Sequence, residues 1–157
     1  MKKLSLLSIC LIFVSFAKAQ QRVITTGVLF LMVDSDARSA GLADQGVATS
    51  SDAFSQQWNP AKYAFGLHKQ GFSVSYTPYL TDLVNDVSFE QLTYFNKVNE
   101  ISSFAGSLRY FTLGEIQLTD NNGELLNKVS PNEFALDGSY SLKLSEKFAM
   151  SIAARFI

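Results

Sequence analysis

Apolar and polar residues alternate along the last part of the sequence, from Phe134 to Phe156. Most even-numbered positions in this stretch carry large apolar side chains, whereas the odd-numbered positions carry small or charged ones. Because successive side chains of a β-strand point to opposite faces, this pattern predicts strands with one apolar and one polar face. The alternation lapses only at residues 144–147, which predicts two strands joined by a tight turn.

Three further strands are predicted upstream of this pair. The first alternates over residues 72–77 and is followed by Pro78, which ends a strand or marks an edge strand. The second, at 87–95, switches its apolar phase from odd to even positions, which predicts a β-bulge near Gln91. The third covers residues 101–119.

The predicted connections between these strands alternate in length. A medium loop at 79–86 and a long polar loop at 120–132 alternate with tight turns at 97–100 and 145–146. Short turns on one side and longer loops on the other are typical of outer-membrane barrels, whose short turns face the periplasm. Aromatic residues near the predicted strand ends also fit the interfacial girdles of such barrels. These residues are Phe72, Tyr79, Tyr94, Phe104, Phe134, Phe148 and Phe156.

The alternation leaves open whether the apolar face meets lipid or the core of a soluble barrel. A lipocalin-like secreted barrel would show the same period of two. Two observations favour lipid. The polar face carries small and charged residues that suit a wet lumen, and the predicted strands reach the length of about 9 to 11 residues that a tilted membrane strand needs. The charged residues predicted to line the lumen are Arg109, Glu115, Asp137, Lys143 and Arg155.

Residues 1–19 have the pattern of a Sec signal peptide. Two lysines precede an apolar stretch at 4–17, and an Ala-Lys-Ala sequence that ends at Ala19 forms a small-residue cleavage site. The apolar stretch is shorter than the about 20 residues of a transmembrane helix, so we predict cleavage after Ala19. Cleavage removes Cys10, the single cysteine, and leaves a mature chain without disulfide or thiol chemistry.

Charge and hydropathy narrow the possible classes of function. The whole chain has 13 basic and 14 acidic residues. The signal segment holds three of the basic residues and none of the acidic ones, so the mature net charge is 10 − 14, or −4. An acidic chain gives no reason to expect nucleic-acid binding. No stretch after Ala19 is a continuous apolar run of transmembrane-helix length, so a membrane crossing would use strands.

Few residues carry candidate chemistry. His68 is the only histidine, so neither a Ser-His-Asp triad nor a His-rich metal site can be assembled, and we interpret it as a surface residue. Asp34 and Asp36 could pair as metal ligands, but capping of a turn is the favoured interpretation. Arg38 and Asp52 could form a buried ion pair that locks the N-terminal region, or could be solvated. We therefore predict no catalytic residue, no cofactor and no metal site.

Five strands do not close a membrane barrel, because bacterial barrels have an even number of strands that begins at about 8. An open edge in lipid would leave a row of unpaired backbone groups, each of which costs several kcal/mol. The sequence also stops inside the last predicted strand, at Ile157. We therefore expect the chain to be the N-terminal part of a longer protein.

The region before the strands contains a set of motifs that points to a family. It reads Asp36-Ala37-Arg38-Ser39-Ala40-Gly41, then Ser51-Asp52-Ala53, then Trp58-Asn59-Pro60-Ala61-Lys62-Tyr63-Ala64-Phe65. Together with residues 107–115 and 131–137, these stretches resemble the PorV family (also called LptO), outer-membrane proteins of the type IX secretion system of Bacteroidetes. The Asn-Pro-Ala element is shared with the wider group of fatty-acid-transporter-like (FadL-like) barrels, so the combination carries the resemblance.

The resemblance implies an all-β fold, a FadL-like transmembrane antiparallel β-barrel of about fourteen strands. The chain would hold a plug segment at residues 20–70 and, at residues 71–157, about five strands of an incomplete barrel. Small residues of the plug segment, Gly41 and Gly46 among them, are expected to pack the backbone closely, with Trp58 as a large anchor. The plug residues predicted to be structural are Arg38, Gly41, Asp52, Trp58, Asn59 and Pro60.

The resemblance also implies a function in protein export at the outer membrane. PorV-type proteins accept cargo that carries a C-terminal signal domain as it leaves the translocon barrel. They pass this cargo to a sortase complex, which attaches it to lipopolysaccharide, so the role is binding and hand-over without an enzymatic step. The loop predicted to contact cargo or partner proteins contains Asp120, Asn121, Asn122, Gly123 and Glu124.

Two alternative functions remain open. FadL-like barrels commonly carry hydrophobic molecules past a plug, so the chain could belong to a transporter of such molecules. A lipid A deacylase is the third possibility, although the sequence has no G-x-S-x-G nucleophile elbow and no base partnered to a serine.

Overall fold

The computed structural model describes residues 27–34, 36–83, 86–121 and 123–157. Within these ranges the chain consists mainly of antiparallel strands, as the sequence predicts. The predicted signal peptide and Asn122 lie outside the described residues. No helix in the described ranges is long and apolar enough to cross a membrane.

The strands form one large sheet and one small sheet. Those within the described residues are β1 (Gln70–Pro78), β2 (Val87–Lys97), β3 (Ser102–Leu113), β4 (Ile116–Thr119), β5 (Leu125–Val129), β6 (Asn132–Ser145) and β7 (Phe148–Phe156). The large sheet has the order β1-β2-β3-β6-β7, and each strand runs antiparallel to its neighbours. β4 and β5 pair with each other in a separate hairpin between β3 and β6.

The two faces of the large sheet have the opposite polarity to those of a soluble protein. The outer face exposes large apolar side chains such as Phe72, Val74 and Ile152. The inner face is covered by the plug segment and buries polar residues such as Thr93 and Arg109. A lipocalin-like secreted barrel buries its apolar face, so this arrangement instead fits the wall of a transmembrane barrel whose outer face meets lipid. Within the described residues β1 and β7 are the edges of an open sheet, as expected for an incomplete barrel.

The two strands predicted from the clearest alternation are confirmed. β6 pairs with β7 in a register that places Ser145 opposite Phe148, so residues 146–147 turn the chain. The large apolar side chains at even-numbered positions are exposed on the outer face. Ala135 and Asp137, at odd-numbered positions, are buried on the inner face.

β2 is continuous, so the predicted bulge near Gln91 is wrong. Its pairing with β1 and β3 has no register shift, and Gln91 lies opposite Ser75 on one side and Arg109 on the other. Phe89 and Phe95 share the buried inner face with Gln91, whereas the apolar even-numbered residues are exposed on the outer face. The apolar phase switches in the sequence because both faces of β2 carry apolar residues, and no change in the backbone accompanies it.

The third predicted strand is interrupted, because residues 101–119 form two strands in different sheets. β3 ends before Gly114, which adopts a positive φ of 75°. Oδ2 of Asp86 accepts a 2.6 Å hydrogen bond from the backbone N–H of Glu115 directly after this break. The prediction of a long polar loop at 120–132 is also wrong in part, because this stretch contains β5.

The tight turns lie at one end of the large sheet and the longer connections lie at the other end. The β2–β3 and β6–β7 turns are neighbours, since the Lys143 backbone N–H donates a 2.6 Å hydrogen bond to the Ile101 carbonyl. The described residues of the 79–86 loop and the β4–β5 hairpin lie at the opposite end. The predicted alternation of connection length is therefore confirmed.

Two small apolar clusters join the plug segment to the inner face. The ring of Phe30 packs edge-to-face against Phe89, with the ring centroids 6.4 Å apart. Tyr63 stacks on Phe95 with 4.7 Å between the centroids. Such aromatic pairs contribute about 0.5–1.5 kcal/mol beyond the area they bury. The core of the described chain thus lies between the plug segment and the inner face of the sheet.

Candidate functional site

The helices of the plug segment are short, and a side chain caps the start of two of them. In the described residues they are 3₁₀ helices at Leu29–Met32 and Pro60–Phe65 and the α-helices α1 (Ala37–Gly41) and α2 (Ser55–Trp58). Oδ1 of Asp36 caps α1 by accepting a 2.8 Å hydrogen bond from the Ser39 N–H. Asn59 caps the second 3₁₀ helix through the Ala61 N–H, and Pro60 takes its first position. The capping interpretation of Asp36 is confirmed.

Trp58 lies over Gly46, which is the glycine that the packing of the plug segment requires. A Cβ atom at Gly46 would lie 2.2 Å from the Trp58 ring. The indole Nε1 donates a hydrogen bond to Oδ2 of Asp36 at 3.4 Å. Gly41 ends α1 in open space, where a Cβ atom would meet no described neighbour within 4 Å. The expectation that Gly41 packs the backbone closely is therefore wrong, because that end of α1 is exposed.

Arg38 and Asp52 form an ion pair at the surface of the plug segment. Nη1 of Arg38 lies 2.8 Å from Oδ2 of Asp52, and Nη2 donates a 3.0 Å hydrogen bond to the Ser50 hydroxyl. The Arg38 side chain is 47% exposed, so the pair is solvated and not buried. Pairs of this kind contribute about 0–1 kcal/mol. Asp52 also accepts a 3.0 Å hydrogen bond from the Ser55 hydroxyl at the start of α2.

A buried lysine holds the irregular backbone between α1 and α2. Nζ of Lys62 donates hydrogen bonds to the Gly46 carbonyl at 2.7 Å and to the Thr49 hydroxyl at 3.1 Å. Burial is the main cause that lowers the pKa of Lys62 below its ordinary value. Lys62 therefore fixes the same backbone turn over which Trp58 lies.

Hydroxyl groups of β6 fasten the plug segment to the inner face. Oγ of Ser139 donates a 2.5 Å hydrogen bond to Oε1 of Gln56, and Oγ of Ser141 donates a 2.7 Å hydrogen bond to the Pro60 carbonyl. The paired residues are 83 and 81 positions apart in the sequence. The plug segment is thus both hydrogen-bonded to and packed on the large sheet, which is called the wall from here on.

A cluster of charges, here called the Arg-Asp-Arg cluster, lies on the inner face beside the plug segment. Nη2 of Arg109 is 2.8 Å from Oδ2 of Asp137, and Nε of Arg155 donates a hydrogen bond to Oδ1 of the same carboxylate. The Ser107 hydroxyl adds a 3.2 Å hydrogen bond to Asp137. The strand register produces this cluster, because Ser107 and Arg155 lie directly opposite Asp137 on its two sides.

The other two charges predicted to line the lumen lie elsewhere. Lys143 is at the tight-turn end of the inner face, with its Nζ 5.9 Å from the centre of the Phe65 ring. Glu115 lies in the link between β3 and β4 and pairs with Lys128 at 2.8 Å, outside the large sheet. The prediction for Glu115 is wrong because the chain leaves the sheet at Gly114.

Asp120, Asn121, Gly123 and Glu124, four of the five residues predicted to contact partner proteins, lie between β4 and β5 at the tip of the hairpin. The Asp120 carbonyl accepts a 3.1 Å hydrogen bond from the Gly123 N–H, and its Oδ1 accepts one of 2.8 Å from the Glu124 N–H. Gly123 has a φ of 85°, which glycine adopts without strain. Asn121 is exposed, and Asn122 lies outside the described residues. The hairpin strands also expose apolar side chains, namely Ile116, Leu118, Leu125, Leu126 and Val129.

The plug segment and the strands together match one known family. The family model described as "Type IX secretion system protein PorV" matches residues 16–157. The chain belongs to the PorV family. The protein is therefore a component of the type IX secretion system, and the PorV family is an outer-membrane component of that system. No curated protein matches the chain.

Asp34 and Asp36, the two candidate metal ligands of this PorV-family chain, lie within the described residues together with His68. His68 is exposed, and Asp36 caps α1. In the part of the chain that the structure describes, no group of three or more His, Cys, Asp or Glu side chains could hold a metal ion. The junction of plug segment and large sheet and the β4–β5 hairpin are the candidate functional surfaces of the PorV-family protein.

Several residues that tie the plug segment of this PorV-family chain to its wall have no local sequence signal. Gln56 and Lys62 are common polar residues in an irregular region, and nothing near them in sequence indicates burial. Ser139 and Ser141 give a weak signal, because small hydroxyl residues repeat along the polar face of β6. A polar face of this kind indicates that something lies against it, but not which residues do.

Proposed function

We propose that this PorV-family protein is a non-enzymatic carrier in type IX secretion. It binds cargo proteins that bear a C-terminal signal domain as they leave the translocon barrel, and it hands them to the sortase and attachment complex at the cell surface. Membership of the PorV family supports a role in type IX secretion. The projecting β4–β5 hairpin is the structural observation that carries the protein-binding role.

The polarity of the large sheet limits where cargo can bind. In this proposal the apolar outer face lies against lipid, and the plug segment covers the inner face. Cargo and partner proteins can then contact only the two ends of the large sheet. Longer connections face the exterior in outer-membrane barrels, so we assign the end with the β4–β5 hairpin to the cell surface.

The β4–β5 hairpin carries apolar side chains beyond the wall. Leu125 is 74% exposed, and Leu126 and Ile116 are exposed on the same hairpin. Clustered apolar groups outside the lipid-facing sheet mark a site of protein interaction, because contact with a partner removes them from water. The ion pair between Lys128 and Glu115 adds polar groups beside this surface, as the rim of a protein interface does.

Secretion assays on hairpin variants test the proposal. We expect the double substitution Leu125→Ser and Leu126→Ser to reduce delivery of signal-bearing cargo to the cell surface about tenfold, with an unchanged level of the protein in the membrane. Lys128→Gln is the matched control on the same hairpin, because its exposed pair contributes about 0–1 kcal/mol. Normal delivery by the double variant would reject the hairpin as the cargo-binding surface.

Deletion of the gene separates the carrier from the two alternative functions. Cargo that is retained in the periplasm supports the carrier. Loss of uptake of a hydrophobic nutrient with normal secretion would instead identify a transporter. A change in lipid A acylation that persists when secretion is restored by other means would identify an enzyme.

A further inference from the structure

Glu90 is the only charged side chain that the described strands place on the outer face of the wall. The strand register puts it directly between Tyr76 of β1 and Tyr110 of β3, and Phe134 of β6 lies opposite Tyr110. Aromatic rows of this kind lie at the membrane–water interfaces of transmembrane barrels. Glu90 therefore lies at the depth where lipid headgroups meet the apolar acyl chains.

The Glu90 carboxylate is held in position but its charge is not neutralised. The residue is half-buried, and its Oε1 accepts a 3.1 Å hydrogen bond from the hydroxyl of Ser88, which is buried. Within the described residues no basic side chain pairs with Glu90. A carboxylate on an apolar, lipid-facing surface is stabilised by a cation, so the expected ligand carries a positive charge.

An apolar groove begins at Glu90 and runs along the outer face towards the middle of the wall. Its first part has a volume of about 370 Å³, lies between the two tyrosines and is lined further on by Leu92 and Leu108. The second part, of about 350 Å³, shares Leu92 and Leu108 and continues to Phe104 and Gly106. The two parts are therefore neighbours in one continuous groove.

The length of this groove matches one leaflet of a bilayer. Between Tyr110 and Phe104 it follows β3 for about six residues, or about 20 Å at about 3.3 Å per residue. The hydrocarbon core of a bilayer is about 30 Å thick, so one leaflet contributes about 15 Å. The groove is thus long enough for one acyl chain whose headgroup lies at Glu90.

We propose that this groove binds a membrane lipid with a primary ammonium group in its headgroup, with the ammonium at Glu90 and one acyl chain along the groove. The ammonium neutralises the carboxylate and donates charge-assisted hydrogen bonds to it. The acyl chain packs over Leu92 and Leu108, and the open side of the groove faces the bilayer. The site rests on the contact of the outer face with lipid and does not depend on the proposed carrier role.

A lysine of a partner protein in the membrane is the competing ligand, because it also carries a primary ammonium group. Its side chain has only four methylene groups, so a lysine bound at Glu90 would leave the second part of the groove empty. An acyl chain fills both parts. The length of the apolar groove therefore favours a lipid over a protein side chain.

Lipid retention by the full-length protein tests the proposal. The protein is reconstituted in vesicles of equal parts phosphatidylethanolamine, phosphatidylcholine and phosphatidylglycerol, extracted in mild detergent, and its retained lipids are quantified by mass spectrometry. Phosphatidylcholine has a positive charge without an N–H donor, and phosphatidylglycerol has neither. We expect phosphatidylethanolamine to be enriched at least about fivefold over each of the others. Equal retention of the three lipids would overturn the proposal.

Substitution of the carboxylate locates the headgroup. Glu90→Gln keeps the size of the side chain and removes its charge, so we expect the enrichment of phosphatidylethanolamine to fall below about twofold. Glu133→Gln makes the same change in a half-buried residue at the same end of the wall but on its other face, and should keep the enrichment. Preserved enrichment in Glu90→Gln would reject the site. Loss of a co-purifying protein from Glu90→Gln, with unchanged lipid retention, would assign Glu90 to a protein partner instead.

A substitution within the groove tests the place of the acyl chain. Gly106→Leu fills the groove, and its Cβ atom would lie 3.4 Å from its nearest neighbour, the Asp137 carbonyl oxygen, so the sheet can accommodate it. We expect retention of phosphatidylethanolamine to fall at least about threefold. Ala154→Leu, on the same face but outside the groove, is the control and should leave retention unchanged. Equal retention by the two variants would contradict an acyl chain in the groove.

Discussion

At the scale of the residue, the close approach of Trp58 to Gly46 leaves no room for a methyl group. A Cβ atom at position 46 would lie 2.2 Å from the ring, so Gly46→Ala must displace the indole that donates to Asp36. We expect the free energy of unfolding to fall by about 1–3 kcal/mol. Denaturant unfolding followed by Trp58 fluorescence measures this change, because Trp58 is the single tryptophan.

Gly41→Ala is the control for that substitution. Gly41 is helical and its Cβ position is open, so alanine should leave stability unchanged or raise it by about 0.5–1 kcal/mol. Equal stability of the two alanine variants would contradict the packing of Trp58 on Gly46.

The Asp34 carboxyl makes the stability of the plug segment depend on pH. Burial is the main cause that raises the pKa of Asp34 from 3.8 to about 6, and the neighbouring Asp44 carboxyl adds to the rise. The folded state then binds the proton more tightly than the unfolded state, so this stabilisation is present at low pH and is lost as the pH rises through about 6. We expect the Trp58 unfolding midpoint to fall between about pH 4 and about pH 6, and Asp34→Asn to reduce that fall. An identical pH profile for the Asn variant would contradict this role.

Residue type and local spacing predict the local contacts of the site, such as helix caps, but not the contacts between residues that are distant in sequence. Asp36 could be predicted as a cap because aspartate is a favoured N-cap residue, whose carboxylate accepts from the backbone N–H three residues later. The Ser139–Gln56 contact could not be predicted, since 83 positions separate two ordinary polar residues. Gly46 and Gly41 look alike in sequence, and only the position of Trp58 distinguishes them.

At the scale of the element, the period of two predicts a strand well where one face stays uniformly apolar. β6 and β7 could be predicted because their outer face is apolar along most of its length. β2 was predicted with a false bulge, because plug residues Phe30 and Tyr63 pack against apolar side chains on its inner face. The break after β3 was missed because the alternation continues across Gly114 into a different sheet.

The β4–β5 hairpin contributes little to the stability of the wall, because every residue of its strands is exposed. We expect replacement of residues 115–130 by a short turn to change the free energy of unfolding by no more than about 0.5 kcal/mol. Tyr79→Ala, in the other connection at the same end, removes a ring that packs edge-to-face on Phe111 and should cost about 1–3 kcal/mol. Loss of the folded wall in the hairpin deletion, measured by thermal unfolding, would contradict an independent hairpin.

At the scale of the whole molecule, the apolar outer face should behave as a surface in lipid and not as a surface in water. Ile152, near the middle of β7, and Leu125, on the hairpin, are both 74% exposed. We expect Ile152→Arg to lower the free energy of unfolding in lipid vesicles by about 2–4 kcal/mol. Leu125→Arg, equally exposed but outside the wall, should change it by about 0.5 kcal/mol or less. Similar small effects of both substitutions would show that water covers the outer face.

The plug segment comes before the large sheet in the sequence, and this order affects the rate of folding. The strands of the wall pair with near neighbours, whereas the contacts of Gln56 and Pro60 with β6 span 83 and 81 positions. Contacts of high sequence separation form slowly, because the entropy of closing a long loop is lost before the contact stabilises anything. We therefore expect strand pairing to run ahead of plug docking. The slowest step in folding is then the docking of the plug segment onto a large sheet whose strands have already partly paired.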